Sequence, residues 1–115
     1  MILEGLLTTI NDDGSVNIAP MGPVVESTFR SLVFRPYQTA QSFANLQRTR
    51  EAVFHVVDRV ALLAQAAIGK ITTPPAMHRA TSVDGWILDE ACRWYAVRVR
   101  AIDDSRPRAE VPCDI

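Results

Sequence analysis

Two groups of residues in this chain could do chemistry together. Arg35 stands just before Pro36, and Gln38, Thr39 and Ser42 follow within seven positions. A guanidinium can hold two oxygens of a phosphate, and hydroxyls and the free N–H groups of a helix start can take a third. The same residues also allow a plainer reading, in which Gln38 or Thr39 caps a helix and Arg35 is a surface charge. The second group is Asn17-Ile18-Ala19-Pro20-Met21-Gly22. Prolines at 20 and 23 around Gly22 leave backbone groups unpaired within a sheet, and such groups can grip the polar edge of a flat heteroaromatic ring. Equally, proline can simply protect an edge strand from aggregation.

The remaining candidates are weaker. His55 is a lone strand histidine, a type more often structural than catalytic, and His78 falls in a loop. No Ser/His/Asp set and no glycine-rich nucleotide motif is present. The carboxylates are scattered, so no metal site is expected. Trp86, Trp94 and Tyr95 suit a core or a subunit interface. Arg93, Arg98, Arg100, Arg106 and Arg108 read as a solvated sheet face.

These residues need elements to position them. Residues 2–10 read as a strand, Asn11-Asp12-Asp13-Gly14 as a hairpin turn, and 16–25 as the return strand, bent or at an edge because of its prolines. Residues 29–35 form a third strand, which Pro36 stops. Residues 39–48 form a helix with Ala40, Phe43, Ala44 and Gln47 on one face and Leu46 beside it. A strand over 52–57 precedes an apolar helix over 60–68, capped by Asp58 and ended by Gly69. Residues 72–84, with Pro74-Pro75, read as a loop, and 86–88 as a short strand. Residues 91–102 alternate, with Tyr95, Val97, Val99 and Ala101 on one face. After the turn at Asp103-Asp104-Ser105, the residues Ala109, Val111, Cys113 and Ile115 begin a last strand. Its apolar pattern has no closing signal, so the chain is expected to continue beyond Ile115.

With 115 residues the chain fits one domain. Its hydrophobic share of 48% is too high for a disordered protein. Limited burial at this length makes a dimer plausible. A net charge of −1 gives no general basic field for nucleic acid. Cys92 and Cys113 have no zinc spacing and read as buried thiols of a cytoplasmic protein. The N-terminus has no basic region of a signal peptide, and the longest apolar stretch is too short to span a bilayer. The expected fold is mainly β: a six-stranded antiparallel barrel with accessory helices.

NIAPMGPVV, followed by LVFRPYQTAQSFANLQRTREAVFHVVD, resembles the flavin-binding split-barrel superfamily, and within it the DUF447 family. The ordered combination of hairpin, N-x-A-P, strand, polar helix with Asn-Leu, and V-F-x-V carries the likeness. It implies a homodimer with FMN at the subunit interface. The phosphate would lie at Arg35, Gln38, Thr39 and Ser42, and the ring along Asn17, Ala19, Pro20, Met21 and Gly22. Many relatives carry a lysine in the phosphate-binding stretch, where this chain has Gln38. Relatives also continue with a further helical segment. The implied activity is that of a flavin-dependent oxidoreductase or flavin reductase with a nicotinamide electron donor and no assignable catalytic acid or base. A non-enzymatic flavin carrier or sensor is an alternative on the same fold. A small barrel binding single-stranded nucleic acid through Trp94, Arg98 and Arg100 is another.

Overall fold

The computed structural model describes residues 1–57 and 75–115. The helix expected over 60–68, with Asp58 and Gly69, lies outside the described residues.

The chain opens with a hairpin of β1 (Gly5–Ile10) and β2 (Val16–Met21). Its turn works because Gly14 takes a positive φ of 87°, a conformation that costs glycine little. The Asn11 N–H donates to Ser15 O at 2.8 Å and the Gly14 N–H to Asn11 O at 2.9 Å. β3 (Val24–Val25) and β4 (Ser31–Phe34) follow, then α1 (Gln41–Thr49) and β5 (Glu51–Val56). β6 (Met77–Arg79), β7 (Trp86–Leu88), β8 (Arg93–Val99) and β9 (Val111–Asp114) complete the described elements.

The main sheet is antiparallel, in the order β2-β1-β5-β8-β9-β4-β3. Its two end strands, β2 and β3, are separated in the chain only by Gly22 and Pro23. The sheet must therefore curl until its ends meet, which makes it a barrel. Ile2 pairs with Val24 in the register that already joins Gly5 to Met21 and Ile10 to Val16. Seven strands thus stand where six were expected, because the stretch 16–25 is one strand broken in two. The break has a cause. In the pair formed by Leu3 and Pro23, the Leu3 N–H reaches Pro23 O at 3.2 Å, but proline has no N–H to return.

Three other expectations need correction. The loop expected over 72–84 contains β6, which pairs with β7; three residues without apolar alternation gave no strand signal. β4 begins at Ser31, not Phe29, and ends before Pro36 as expected, although backbone contacts with the residues before β9 continue past it. The Ala109 N–H donates to Pro36 O at 2.9 Å, and Tyr37 still pairs with Arg108. α1 starts at Gln41, not Thr39, with Ala40 as an extended N-cap that offers no side-chain bond. Its buried face is Ser42, Phe43, Asn45 and Leu46. Two polar residues find partners inside, so the face is rotated from the purely apolar one.

β1 and β5 are buried on both faces. Inside the barrel, Leu7, Leu32, Phe34, Phe54 and Val97 pack with Phe43 and Leu46 of the helix. Phe34 and Phe54 meet edge to face at 5.8 Å. Outside, the β6–β7 hairpin covers Leu6 and Val53 with Leu88 and Ile87. Each such side chain contributes about 2 kcal/mol of burial. Cys113 is in the core, where burial pushes its thiol up to about 12. Cys92 is exposed, contrary to expectation, because it precedes β8 at the surface.

Candidate functional site

The barrel has a split, and backbone alternation shows where it lies. In an antiparallel pair, alternate residues turn their N–H and C=O groups to the same neighbour. Bonds at Asn11–Ser15, Leu3–Pro23 and Met1–Val25 assign the odd-numbered residues of the 15–25 stretch to β1. The even-numbered ones face the other way. Val24 and Glu26 use that side for β4: Val24 pairs with Val33, and the Glu26 N–H donates to Ser31 O at 3.2 Å. Continued in register, Gly22 would meet Arg35 and Pro20 would meet Tyr37. The β3–β4 ladder instead ends at Val24–Val33. Pro20 has no N–H to offer there, and Tyr37 O accepts the Ala40 N–H at 3.0 Å. Among the described residues, β2 has a ladder partner on one side only. Ile18, Pro20 and Gly22 therefore present carbonyls, and Ile18 and Gly22 amides, to a cleft bounded by the β4–α1 connection.

The far end of this cleft is closed by a contact between the two sequence-predicted groups. The Asn17 side-chain amide donates to Ser42 Oγ at 3.1 Å, and Ser42 is buried in the first turn of α1. Arg35 follows the Val33 at which the β3–β4 ladder ends. Its Nε is buried and has no hydrogen-bond partner among the described residues. An unpaired buried donor of this kind costs about 1–3 kcal/mol. Thr39 is exposed beside the helix start.

Gln38 does something else. Its Nε2 donates to Asp104 O at 2.8 Å and to Arg106 O at 2.6 Å. It ties the connection between β8 and β9 to the approach of the helix. Asn17, Ala19 and Met21 turn their backbone groups to β1, so Ile18, absent from the expected set, supplies part of the free edge. Arg108 was also missed. Its Nε donates to Arg35 O at 2.7 Å, and its guanidinium lies 5.4 Å from the Tyr37 ring centre.

Other candidates have structural posts. His55 is fully buried. Its Nε2 accepts the Leu88 N–H at 3.0 Å, so Nδ1 carries the proton and donates to Leu6 O at 3.0 Å. Burial lowers its pKa to about 4, against the Leu6 bond, which raises it. This histidine fastens the β6–β7 hairpin to the barrel. His78 lies within 2.7 Å of Asp89 at the surface. Arg98 pairs with Glu51 at 3.3 Å and Arg100 with Asp114 at 3.2 Å. Trp94 is half exposed and meets His78 edge to face. No helix among the described residues is long and apolar enough to cross a membrane.

Solved structures with this architecture are numerous. The styrene monooxygenase flavin reductase of Pseudomonas putida S12 superposes with a TM-score of 0.83 at 12% identity, over 98% of this chain and 77% of that one. An FMN-bound DUF447 protein of Methanosarcina mazei gives 0.79 at 17% identity, over 98% of this chain and 56% of that one. This chain therefore spans little more than half the length of that relative. An FMN-binding protein of Thermus thermophilus gives 0.82 at 10% identity, over 100% of this chain and 70% of that one. At these identities the likeness establishes the flavin reductase type of split barrel as the fold. Among curated proteins none matches. The family model described as "Protein of unknown function (DUF447) N-terminal domain" matches residues 3–115, and the chain belongs to that family.

Proposed function

We propose that this protein binds FMN in the split between β2 and the β4–α1 connection and acts as a flavin-dependent oxidoreductase or flavin reductase. The observation that carries the reading is Arg35, whose buried Nε has no hydrogen-bond partner among the described residues and which follows the Val24–Val33 pair that ends the β3–β4 ladder. The edge of Ile18, Pro20 and Gly22 offers three carbonyl acceptors and two amide donors, the kinds of group that the pyrimidine rim of a flavin can bond. Arg35 and the start of α1, with Thr39 and Ser42, suit the phosphate. Gln38 supports this end by holding the neighbouring loop. The split-barrel neighbours that bind FMN or reduce flavins support the choice of cofactor. FMN, when bound, supplies hydride chemistry with a nicotinamide donor; the chain's part is to hold the ring, orient it and limit water.

The active form is proposed to be a homodimer with the split at its interface. Ile2, Val24 and Tyr37 are exposed around the mouth of the cleft. A second copy would cover these apolar groups and close the site. Nucleic-acid binding through Arg98 and Arg100 is disfavoured, because both are occupied by carboxylates.

The test begins with the absorption spectrum of the fresh protein and the mass of any released chromophore. Bleaching by NADH or NADPH at a catalytic rate separates an enzyme from a flavin carrier. Arg35→Ala is expected to weaken FMN by roughly thirtyfold, the worth of one charge-assisted pair, with riboflavin unchanged. Equal loss of both flavins would overturn the assignment of Arg35 to the phosphate.

A further inference from the structure

Arg106 and Arg108 lie outside the stretch that carries the family likeness to a phosphate site. We infer that they join Arg35 in a single seat for the flavin phosphate, so that the positive charge comes from two distant parts of the chain. The inference rests on the FMN reading and deepens it.

Arg35, Tyr37, Arg106, Arg108 and Glu110 line one open cavity. Three guanidinium groups outnumber Glu110 in its lining and Asp103, which lies beside Arg106 and lines an adjoining cavity with Arg106, Arg108 and Glu110, so the seat stays net positive. A phosphate monoester carries about −1.5 to −2 at neutral pH, so the signs are complementary. Arg108 is pre-set for the task. Its Nε is committed to Arg35 O, and its plane rests against Tyr37. Neither of its Nη groups has a hydrogen-bond partner among the described residues. A guanidinium fixed through Nε and stacked on a ring loses little freedom when it takes an anion. The Arg106 side chain likewise has no hydrogen-bond partner among the described residues. Its carbonyl is held by Gln38, which fixes the loop beside the helix start.

This arrangement answers a puzzle of the sequence. Gln38 brings no charge to the stretch that follows Arg35. Here it is a positioning residue: its amide holds the arginine-bearing loop in place of a charge of its own. Arg98 and Arg100, in the same run of arginines, are paired with Glu51 and Asp114 and take no part.

The experiment titrates FMN, riboflavin and NADPH onto the full chain and its Arg106→Ala/Arg108→Ala double variant, with circular dichroism to confirm folding. The expected result is at least a thirtyfold loss for FMN and less than twofold for riboflavin. FMN binding by the variant should also depend less on salt. Gln38→Ala should show the same FMN-selective loss, several-fold in size, while Arg108→Lys should recover only part of the affinity. Unchanged FMN binding overturns the inference, and so does equal loss for both flavins. A loss confined to NADPH also overturns it, since the anion would then belong to the electron donor. If the wild-type chain binds neither flavin, the FMN reading itself fails. Inorganic phosphate then decides the seat: a rise in melting temperature for the wild type and not the double variant keeps it as a phosphate site, and no rise removes it.

Discussion

The barrel has a packed flank and an open one, and they treat buried polar groups in opposite ways. On the packed flank, both ring nitrogens of His55 are bonded to backbone. The Asn45 amide nitrogen donates to Thr9 Oγ1 at 2.9 Å and to Asn11 Oδ1 at 2.8 Å, and its oxygen accepts from Gln41 and Arg48. At the split, among the described residues, Arg35 Nε is buried with nothing to bond, and one edge of β2 goes without a strand. A satisfied buried group specifies a fold. An unsatisfied one is a cost of order 1–3 kcal/mol that the fold carries where a ligand is to complete it. That difference is the ground for placing the proposed site on the open flank, without any catalytic motif.

The comparison can be broken most forcefully at Gly5, on the packed flank. A Cβ there would fall 1.9 Å from the His55 carbonyl oxygen, so backbone has to move. Gly5→Ala should cost at least about 3 kcal/mol in chemical denaturation, at the upper end for overpacking. A variant within 1 kcal/mol of wild type, on that order of precision, would mean that β1 and β5 are not so tightly joined.

His55→Ala comes next, at about 3 kcal/mol, from a cavity and two lost backbone bonds. Its pH signature is sharper. The folded pKa, about 4, is below the ordinary 6.5, so the unfolded chain binds more protons between those values. The stability contributed by neutral His55 is present above pH 6.5 and is lost as pH falls through 4. The loss is about 3 kcal/mol over that window by linkage. In His55→Ala this slope should vanish. A slope that survives would place the titration elsewhere.

Arg35→Ala should behave in the opposite manner. Removing a buried donor that bonds nothing should not destabilise the fold and should raise its stability, by about 1 kcal/mol or more. Its effect belongs in the FMN titration. A large loss of stability would show that Arg35 serves the fold.

How much of this was legible in the chain depends on the range of each interaction. The hairpin could be read from Asn11-Asp12-Asp13-Gly14 because turn chemistry is local. The strand break at Gly22-Pro23 was half visible: proline announced a defect, but only the register showed that Pro20 faces the split while Pro23 faces β1. The helix face was misread because Ser42 and Asn45 are polar and buried, and their partners Asn17 and Thr9 come from other strands. Arg108 was read only as part of a solvated sheet face. It meets Arg35 across a sequence separation of 73 residues, through a sheet order that no local pattern encodes. The exposed position of Cys92 escaped notice for a similar reason, since residue type alone suggested burial.

The smallest effect is the most discriminating. Gly22 lies on the edge of β2 away from β1, and a Cβ there would meet only ordinary contacts, with Ile2 at 3.6 Å and Leu3 O at 3.9 Å. Its φ is not positive, so alanine brings no left-handed strain. Gly22→Ala should therefore melt within about 0.5 kcal/mol of wild type, unlike Gly5→Ala. On the open flank, however, the added methyl narrows the approach to the free edge of β2. Binding should weaken by roughly fivefold, about 1 kcal/mol, for FMN and riboflavin alike, because the ring end is obstructed and the phosphate end is not. Together with the FMN-selective loss in Arg35→Ala, this separates the two ends of one ligand. A Gly22→Ala variant that spares riboflavin but loses FMN would put the phosphate, and not the ring, against β2, and the orientation proposed for the cofactor would be reversed.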